Sequence, residues 1–406
     1  MSEIRTQCAI AGGGPAGMMV GFLLARAGVD VVVLEKQGDF LRDFRGDTIH
    51  PSTFELMYEL GLLPEFLRLP HHELTEVAAE IGRFHVPIAD FSHLPTHCKF
   101  AGLMPQWDFL NFLADKGRAY SGFHLRMNCE AVDLIHENGS IAGVCCTSPD
   151  GSLDVRAPLT VGADGRHSIV RRKAGFEVID LGAPIDVLWM RLSRHPDDPA
   201  RALGHVQPGR FLVTLNRGDY WQCGYVIPKG AADEIRNEGL PAFREDIAKV
   251  APFLRDRVAE LQNWDPIKLL TVRVDRLRRW SRPGLLCIGD SAHAMSPVGG
   301  VGINLASQDA VAAANILAGP LKRNEPTDPL LPAIQHRREF PTRMTQRLQI
   351  IAHHRILSPT LNRKIDLRRL PLPLRLVQRF PALRRIPARI IGLGFRPEHI
   401  HTATIL

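Results

Sequence analysis

The 406 residues are enough for two or three domains, and 45% hydrophobic with 23% charged residues excludes collagen, a long coiled coil and wholesale disorder. The net charge of +7 lies in one place, because residues 337–398 hold 15 Arg and Lys against three acidic residues. The seven cysteines form no Cys-x-x-Cys pair and lie mostly in apolar runs, which predicts reduced thiols and a cytoplasmic location.

The chain opens with the alternation of a βαβ unit: a predicted strand at 7–12, a glycine turn, a helix at 15–27 and a strand at 29–35. The uncharged stretch 6–25 has the length of a membrane span. Five glycines and Pro15 would, however, break a spanning helix there. We therefore predict a strand, turn and helix in this stretch, and no signal peptide.

Further strands are indicated by β-branched runs over a long part of the chain. They lie at 132–135, 141–146, 158–161 and 285–288, each beside a turn signal. Between 183 and 228 the pattern changes to longer strands with aromatic residues and no intervening helices. This predicts an antiparallel sheet that belongs to a second domain.

A glycine fingerprint for dinucleotide binding follows the first strand. Gly12 permits a tight turn, Gly14 lets the backbone approach a pyrophosphate, and Gly17 brings the helix against the strand. Glu35 ends the next strand and can accept hydrogen bonds from a ribose diol. The predicted binding residues are Gly12, Gly14, Pro15, Ala16, Gly17, Glu35 and Lys36.

Two later segments predict which dinucleotide is bound. Residues 162–171 run from a strand through Asp-Gly into a helix, and residues 289–304 run from a buried strand through a glycine-rich loop into another helix. The second segment can offer a carboxylate to a ribityl hydroxyl and helix N-terminal amides to a ring carbonyl. The candidate residues are Asp164, Asp290, Gly299, Gly302, Ile303 and Asn304.

With these three motifs in order, nearly the whole chain resembles the single-component FAD-dependent aromatic hydroxylases, the group that includes p-hydroxybenzoate hydroxylase. Arg45 and Gln106 match two further family positions that contact FAD. The resemblance implies an α/β fold with a Rossmann-like FAD-binding domain, a substrate domain on a mixed or antiparallel sheet, and a C-terminal helical cap. The predicted divisions are 1–72, 98–178 and 270–335 for the FAD domain, 73–97 and 179–269 for the substrate domain, and 336–406 for the basic helical region.

The resemblance also implies a reaction. NAD(P)H would act as a transient co-substrate that reduces noncovalently bound FAD, and O2 would form a flavin C4a-hydroperoxide that hydroxylates a phenolic, quinone or polyketide-like small molecule. In the family, the loop that matches 297–302 lies beside the flavin ring, and the backbone near Pro297 helps to hold the substrate.

Hydroxylation of a phenol calls for a base or proton relay near the substrate. The candidates are His50, His205, Tyr220 and Tyr225, while Trp189 and Trp221 are candidates to wall an aromatic pocket. His293 has no metal-ligand spacing to another His or Cys, so we predict no metal.

Several alternatives stay open at this point. The same fold could reduce or desaturate a prenyl or quinone substrate, or serve as a non-enzymatic redox-sensing module. The basic region is taken as helices whose apolar positions Leu376, Phe380, Leu383 and Ile390 cover the FAD domain while the arginines are solvated. Weak contact of this region with an anionic membrane, or binding of NADPH, is the alternative; nucleic acid is not expected, and the protein is predicted to be a monomer or homodimer.

Overall fold

The computed structural model describes residues 2–41, 48–199, 204–362 and 370–405. Within them the predicted α/β class is confirmed, with mixed sheets and C-terminal helices. The strands up to residue 103 are β1 (Ser2–Arg5), β2 (Cys8–Ala11), β3 (Val31–Leu34), β4 (Thr48–Ile49), β5 (His72–Leu74), β6 (Glu76–Ile81), β7 (Phe84–Asp90) and β8 (Ala101–Leu103).

The strands of the middle region are β9 (Phe123–Arg126), β10 (Glu130–Glu137), β11 (Ser140–Ser148), β12 (Gly151–Arg156), β13 (Leu159–Gly162), β14 (Val178–Asp180), β15 (Ile185–Ser193), β16 (Gly204–Gln207), β17 (Arg210–Asn216) and β18 (Tyr220–Pro228). They are followed by β19 (Lys268–Leu270), β20 (Asp275–Leu277), β21 (Ser281–Arg282) and β22 (Leu285–Cys287).

The helices of the first 250 residues are α1 (Pro15–Arg26), α2 (Pro51–Glu59), α3 (Leu63–Phe66), α4 (Gln106–Gly117), α5 (Ile169–Lys173), α6 (Ala232–Glu238) and α7 (Leu240–Val250). Those that follow are α8 (Gly302–Lys322), α9 (Leu331–Ala352), α10 (Ser358–Leu361), α11 (Leu372–Arg379) and α12 (Arg385–Gly392). A π-helical turn, His353–Leu357, joins α9 to α10.

A parallel sheet positions the candidate dinucleotide site. Its strands lie in the order β22-β13-β2-β3-β9, with β21 added antiparallel at one edge. The central strands are apolar throughout because both faces are covered: α1, α4 and α8 pack together, and the smaller sheet β1-β12-β11-β10 contacts β2 and β13. The predicted βαβ opening is confirmed as β2, α1 and β3. In this topology a ligand site lies where the carboxyl ends of the strands meet.

The second large sheet has the strand order β19-β15-β18-β17-β16-β6-β7. It is antiparallel as predicted except that β16 pairs parallel with β6, which makes the sheet mixed. Its helix face packs Met190, Trp221 and Tyr225 against α7 and the residues that follow it. Its inner face packs Val187 and Val226 with residues of the glycine-rich loop and of the π-helical turn.

The C-terminal region begins with α9, which packs on α8. Arg338 is buried there, with Nε 2.9 Å from Asp309 Oδ1 and Nη1 3.3 Å from Glu398 Oε1. The prediction that the arginines of this region are solvated is therefore wrong for Arg338, because two buried carboxylates neutralise it. No helix of the described residues is long and apolar enough to cross a bilayer.

The last two helices pack on β7, at the edge of the mixed sheet, and do not cover the parallel sheet. Leu376 and Phe380 are 42% and 51% exposed, so the prediction that they pack inward is wrong. The inward positions of α11 are Leu374 and Val377, which are half-buried.

Candidate active site

The first turn of the fingerprint depends on close backbone approach. Gly12 has φ +108°, and a Cβ built there would lie 2.4 Å from the carbonyl oxygen of Ala163. A Cβ at Gly17 would lie 1.9 Å from the carbonyl oxygen of Gly12. Both glycines are thus required by the packing of the chain itself, as the sequence predicts.

Gly14 differs from Gly12 and Gly17 in that the space beside its Cα is open. It precedes α1 with an ordinary φ of −76°, and a Cβ built there would meet no atom within 4 Å. The protein itself leaves this space open at the N-terminus of a twelve-residue helix, where free amides favour an anion. This cradle fits a pyrophosphate, and a side chain would fill it.

Glu35 stands at the end of β3, beside the same turn. Its Oε2 accepts a hydrogen bond from the amide of Gly13 at 3.2 Å and its Oε1 from that of Gln37 at 3.0 Å. These contacts hold the carboxylate over the glycine turn, where a ribose diol could donate to it.

An open cleft runs along the carboxyl ends of the strands. Its lining comes from separate parts of the sequence, which include the fingerprint turn, the end of β3, the Asp-Gly segment after β13 and the start of α8. Of the residues predicted to hold the cofactor, the cleft brings together Gly12, Gly14, Pro15, Ala16, Glu35, Lys36, Gln106, Asp164, Asp290, Gly302 and Ile303. Arg45 lies outside the described residues.

Two carboxylates, those of Asp164 and Asp290, line the cleft. Asp164 Oδ2 accepts from the amide of Val170 at 3.1 Å, while Oδ1 is buried without a partner among the described residues. Burial raises the pKa of Asp164, which makes an added hydrogen-bond donor favourable there. Asp290 lies 3.5 Å from the guanidinium of Arg166, which also lines the cleft. These groups fit the hydroxyls of a dinucleotide.

The glycine-rich loop 296–302 leads into Gly302, which lines one end of the cleft, and side chains of the C-terminal region hold the loop. We call this end of the cleft the ring end, because the family resemblance implies that the flavin ring lies beside the loop. Gln349 accepts from the amide of Ser296 at 3.1 Å and donates to the carbonyls of Ser296 and Val298, both at 2.9 Å. His353 Nε2 lies 2.8 Å from Ser296 Oγ. Gln349 and His353 are not predicted from the sequence, because nothing in the basic region distinguishes them from its solvated polar residues.

His50 holds the other side of this loop. Its Nε2 lies 3.0 Å from the carbonyl oxygen of Gly299. Because a carbonyl oxygen can only accept, Nε2 carries the proton and donates it. Nδ1 of the neutral ring is then an acceptor, and it has no partner in the described residues. Burial lowers the pKa of His50 to about 4, so the ring is neutral at pH 7. Among the predicted bases, His50 is the one that contacts the loop.

The side chain of Asn304, near the start of α8, forms hydrogen bonds with His50, which precedes α2, and with Thr53 of α2. Its Oδ1 accepts from the amide of His50 at 2.9 Å and from Thr53 Oγ1 at 2.5 Å. The side chain is therefore used inside the protein. The backbone amides of Ile303 and Asn304 belong to the first turn of α8 and have no acceptor within that helix, so they can donate to a ligand.

The inner face of the mixed sheet adjoins the ring end. Trp189 and Phe211 are half-buried there and pack in one cluster with Val298 of the loop. Trp221, the other predicted pocket wall, lies on the helix face, where it is buried against Phe253 and donates to Asp198 at 2.7 Å. Because alternate residues of a strand point to opposite faces, the two tryptophans are separated by the sheet.

The same alternation separates the predicted catalytic residues. His205 and Tyr225 are buried on the helix face, where His205 contacts Phe253 and Tyr225 contacts Phe243. Burial lowers the pKa of His205 to about 4 and raises the pKa of Tyr225. The structure does not bring these two side chains to the cleft. Tyr220 is half-buried at the end of β18 remote from Val226 and contacts Arg191.

A polar group that was not predicted from the sequence lies at the end of β17, near helix α4. Arg217 follows β17, and its Nε donates to Gln222 Oε1 at 3.1 Å. Burial lowers the pKa of His72, and the positive charge of Arg217 lowers it further. Burial raises the pKa of Asp108, and the same positive charge partly opposes that increase. The cation therefore lies close to α4, whose first residue, Gln106, lines the cleft.

Comparison with known proteins agrees with this geometry. A family model described as an FAD binding domain matches residues 5–348. The chain belongs to this FAD-binding family. The predicted resemblance and the FAD cofactor are thereby confirmed.

This FAD-binding protein is 32% identical over 389 residues to 6-methylpretetramide 4-monooxygenase of Streptomyces rimosus, and the match covers 95% of this chain and 92% of the relative. Two solved structures share its fold. Anhydrotetracycline hydroxylase of Streptomyces rimosus matches with a TM-score of 0.74 and 22% identity, covering 97% of this chain and 77% of that one. p-Nitrophenol 4-monooxygenase of Pseudomonas putida DLL-E4 matches with a TM-score of 0.73 and 20% identity, covering 95% and 99%.

Proposed function

We propose that this protein is an FAD-dependent monooxygenase that uses NAD(P)H and O2 to hydroxylate a fused-ring, polyketide-like aromatic compound. The observation that carries the proposal is the continuity of the site. One loop, 296–302, contributes Gly302 to the FAD cleft, and its Val298 packs on the same buried cluster of the inner face as Trp189 and Phe211. The relative that acts on 6-methylpretetramide, matched over 95% of this chain, supports the substrate class.

The residues along the cleft have separate roles in holding the cofactor. The N-terminus of α1 and the space at Gly14 take the pyrophosphate, and Glu35 takes the adenosine ribose. Asp290 accepts from the ribityl chain. The amides of Ile303 and Asn304 donate to the electron-rich edge of the ring, where negative charge increases on reduction.

FAD, when bound, supplies the chemistry of taking a hydride from NAD(P)H and transferring one oxygen atom of O2 to the substrate. The protein supplies position and exclusion of water. Neutral His50 fixes the carbonyl of Gly299, and Gln349 fixes those of Ser296 and Val298, so the loop is held in one conformation. With its proton on Nε2, His50 leaves Nδ1 as the group that can accept a substrate proton, directly or through water.

Substrate recognition is assigned to the inner face. Trp189 and Phe211 provide apolar walls for a planar ring system. Arg217 and Gln222 offer donors to the oxygen substituents of such a substrate. Arg217→Gln should therefore raise KM more than it lowers kcat, because the contact to substituents is equal in ground and transition states.

Oxygen incorporation tests the proposal. Purified protein is incubated with NAD(P)H under 18O2 and a panel of anthracene- and naphthacene-type phenols. We expect a substrate that accelerates NAD(P)H oxidation and gains one labelled oxygen atom. Product without the label would favour the reductase alternative, and NAD(P)H oxidation that no compound accelerates would favour the redox-sensing module. We place the reaction in the cytoplasm, since all seven cysteines are free thiols.

A further inference from the structure

The two C-terminal helices carry an outward surface that nothing in the described structure covers. Its apolar members are Leu372, Leu376, Phe380 and Ile386, which are 65%, 42%, 51% and 59% exposed. Its cationic members are the exposed side chains Arg375, Arg379, Arg385 and Arg389. We call these eight residues the arginine-apolar surface.

The exposure is not a consequence of poor packing. Leu374 on the opposite side of α11 packs against the buried cluster that contains Val86 and Val206, and Ala388 of α12 belongs to the buried cluster of Phe91 and Leu94. Gln378 Nε2 also donates to the carbonyl of His85 at 3.1 Å. Each helix is therefore anchored by its inner side, and the outer apolar side chains are additional to what the fold requires. A cluster of large exposed apolar side chains marks an interaction surface.

The charge of this surface has one sign. Residues 370–397 contain six arginines and no Asp or Glu. Arg384 is used inside the protein, since it is 17% exposed and lies 3.7 Å from Glu76. The four arginines of the arginine-apolar surface are exposed, although Arg385 Nη2 also lies 3.4 Å from His93 Nε2. The guanidinium of Arg379 lies 5.9 Å from the ring centre of Phe380.

We propose that the arginine-apolar surface docks this protein on an anionic lipid membrane. Short helices with arginines beside leucine and phenylalanine lie in the headgroup region, where the apolar side chains enter the acyl boundary and the cations meet lipid phosphates. A second copy of this chain is a poorer occupant, because a two-fold contact would place the same arginines against one another. The proposal does not depend on the substrate assigned above.

Vesicle co-sedimentation of the FAD-loaded protein tests this docking. In 0.1 M salt we expect binding to phosphatidylglycerol vesicles and none to phosphatidylcholine vesicles. Each arginine near an anionic surface contributes roughly fivefold in affinity, so Arg375→Gln with Arg379→Gln should weaken binding about twenty-fivefold. Leu372→Ser with Phe380→Ser should weaken it by a similar or larger factor, and neither pair should alter bound FAD because these side chains are exposed.

A matched control removes two exposed cations from the opposite side of the mixed sheet. Lys249 of α7 and Arg255 belong to the layer on the helix face, so Lys249→Gln with Arg255→Gln should leave vesicle binding unchanged. The proposal is overturned if the wild-type protein stays in the supernatant with both lipids, or if the control pair weakens binding as much as the arginine pair. It is equally overturned if sedimentation velocity shows a dimer that the Leu372 and Phe380 substitutions convert to a monomer.

Discussion

The two ends of the FAD cleft are built in different ways. The dinucleotide end consists of one short stretch, Gly12 to Gly17, together with Glu35 of the next strand, and it offers mainly backbone amides. The ring end is a loop without regular structure, held by His50 from one side and by Gln349 and His353 from the other. A site made of backbone groups at a helix N-terminus can be encoded locally, whereas an irregular loop needs side chains from remote segments.

The largest effect that separates the two ends is expected at Gly14. A valine side chain there would occupy the open space beside the helix N-terminus, so Gly14→Val should yield colourless protein whose thermal midpoint equals that of the wild-type apoprotein. Absorbance at 450 nm and heat-released cofactor measure the loss. Gly17→Val is the contrasting variant, because its side chain collides with the Gly12 carbonyl and should prevent folding. Retained FAD in Gly14→Val would contradict this assignment of the cradle.

The ion pairs beneath the ring end should be the next most sensitive feature. His293 and Arg338 lower the pKa of Asp309 although burial opposes this, and the carboxylate also accepts from the amide of Gly289 at 3.1 Å. Arg338→Met should destabilise folding by about 3–5 kcal/mol, since it removes the buried guanidinium that pairs with both Asp309 and Glu398. Arg337→Met is the control, because that half-exposed arginine pairs with the same Glu398 and should cost under about 1 kcal/mol. Equal losses in urea unfolding would refute the distinction.

Acid should weaken the ring end before the dinucleotide end. Burial lowers the pKa of His50 and of His353 to about 4, against about 6.5 in the unfolded chain. Well above pH 6.5 the two histidines are neutral in the folded and in the unfolded protein. Between pH 6.5 and pH 4 the unfolded chain binds protons that the folded protein does not, so the free energy of unfolding decreases as the pH falls. At pH 5 the loss should reach up to about 2 kcal/mol per histidine. Urea titrations at pH 7 and pH 5 should show a smaller loss of unfolding free energy for His353→Gln than for the wild-type protein. An equal loss in the two proteins would be inconsistent with this cause.

A smaller effect is expected from the glutamine that holds the loop. Gln349→Leu removes three hydrogen bonds to the loop backbone, so the Kd for FAD should increase roughly tenfold, or about 1.4 kcal/mol. Gln335 lies on the same helix and bonds the backbone of Arg278 and Trp280 instead. Gln335→Leu should therefore leave the Kd unchanged, and similar increases in both variants would mean that helix α9 matters only as a whole.

The smallest effect is expected on the helix face of the mixed sheet. Tyr225→Phe should leave kcat and its pH profile unchanged, because the phenol is buried on the far side of the sheet from the cleft. Trp189→Leu, on the inner face, should raise KM for the aromatic substrate. If Tyr225→Phe shifts the pH profile of kcat, the proton would pass through Tyr225 and the assignment to His50 would fail.

The part of the site that the sequence predicted is the part with fixed spacing. The turn at Gly12, the approach at Gly17 and the position of Glu35 follow from a strand, a turn and a helix that are consecutive in the chain. Asp164 and Asp290 were predicted because each follows a buried strand. His205 and Tyr225 show the limit of this reasoning, since residue type and strand pattern do not indicate which face of a sheet meets a ligand.

The amino-acid sequence by itself determined the parallel βαβ opening, the three cofactor motifs and the family, because local spacing controls backbone conformation and backbone conformation controls amide positions. Only the tertiary structure decided which side chains hold the ring-end loop, which face of the mixed sheet adjoins it, and which face of α11 is exposed. Those outcomes depend on contacts between segments far apart in the chain: His353 meets Ser296, and Leu374 rather than Leu376 meets the sheet. Such pairings are selected by burial in the assembled fold, and no short stretch of sequence contains that information.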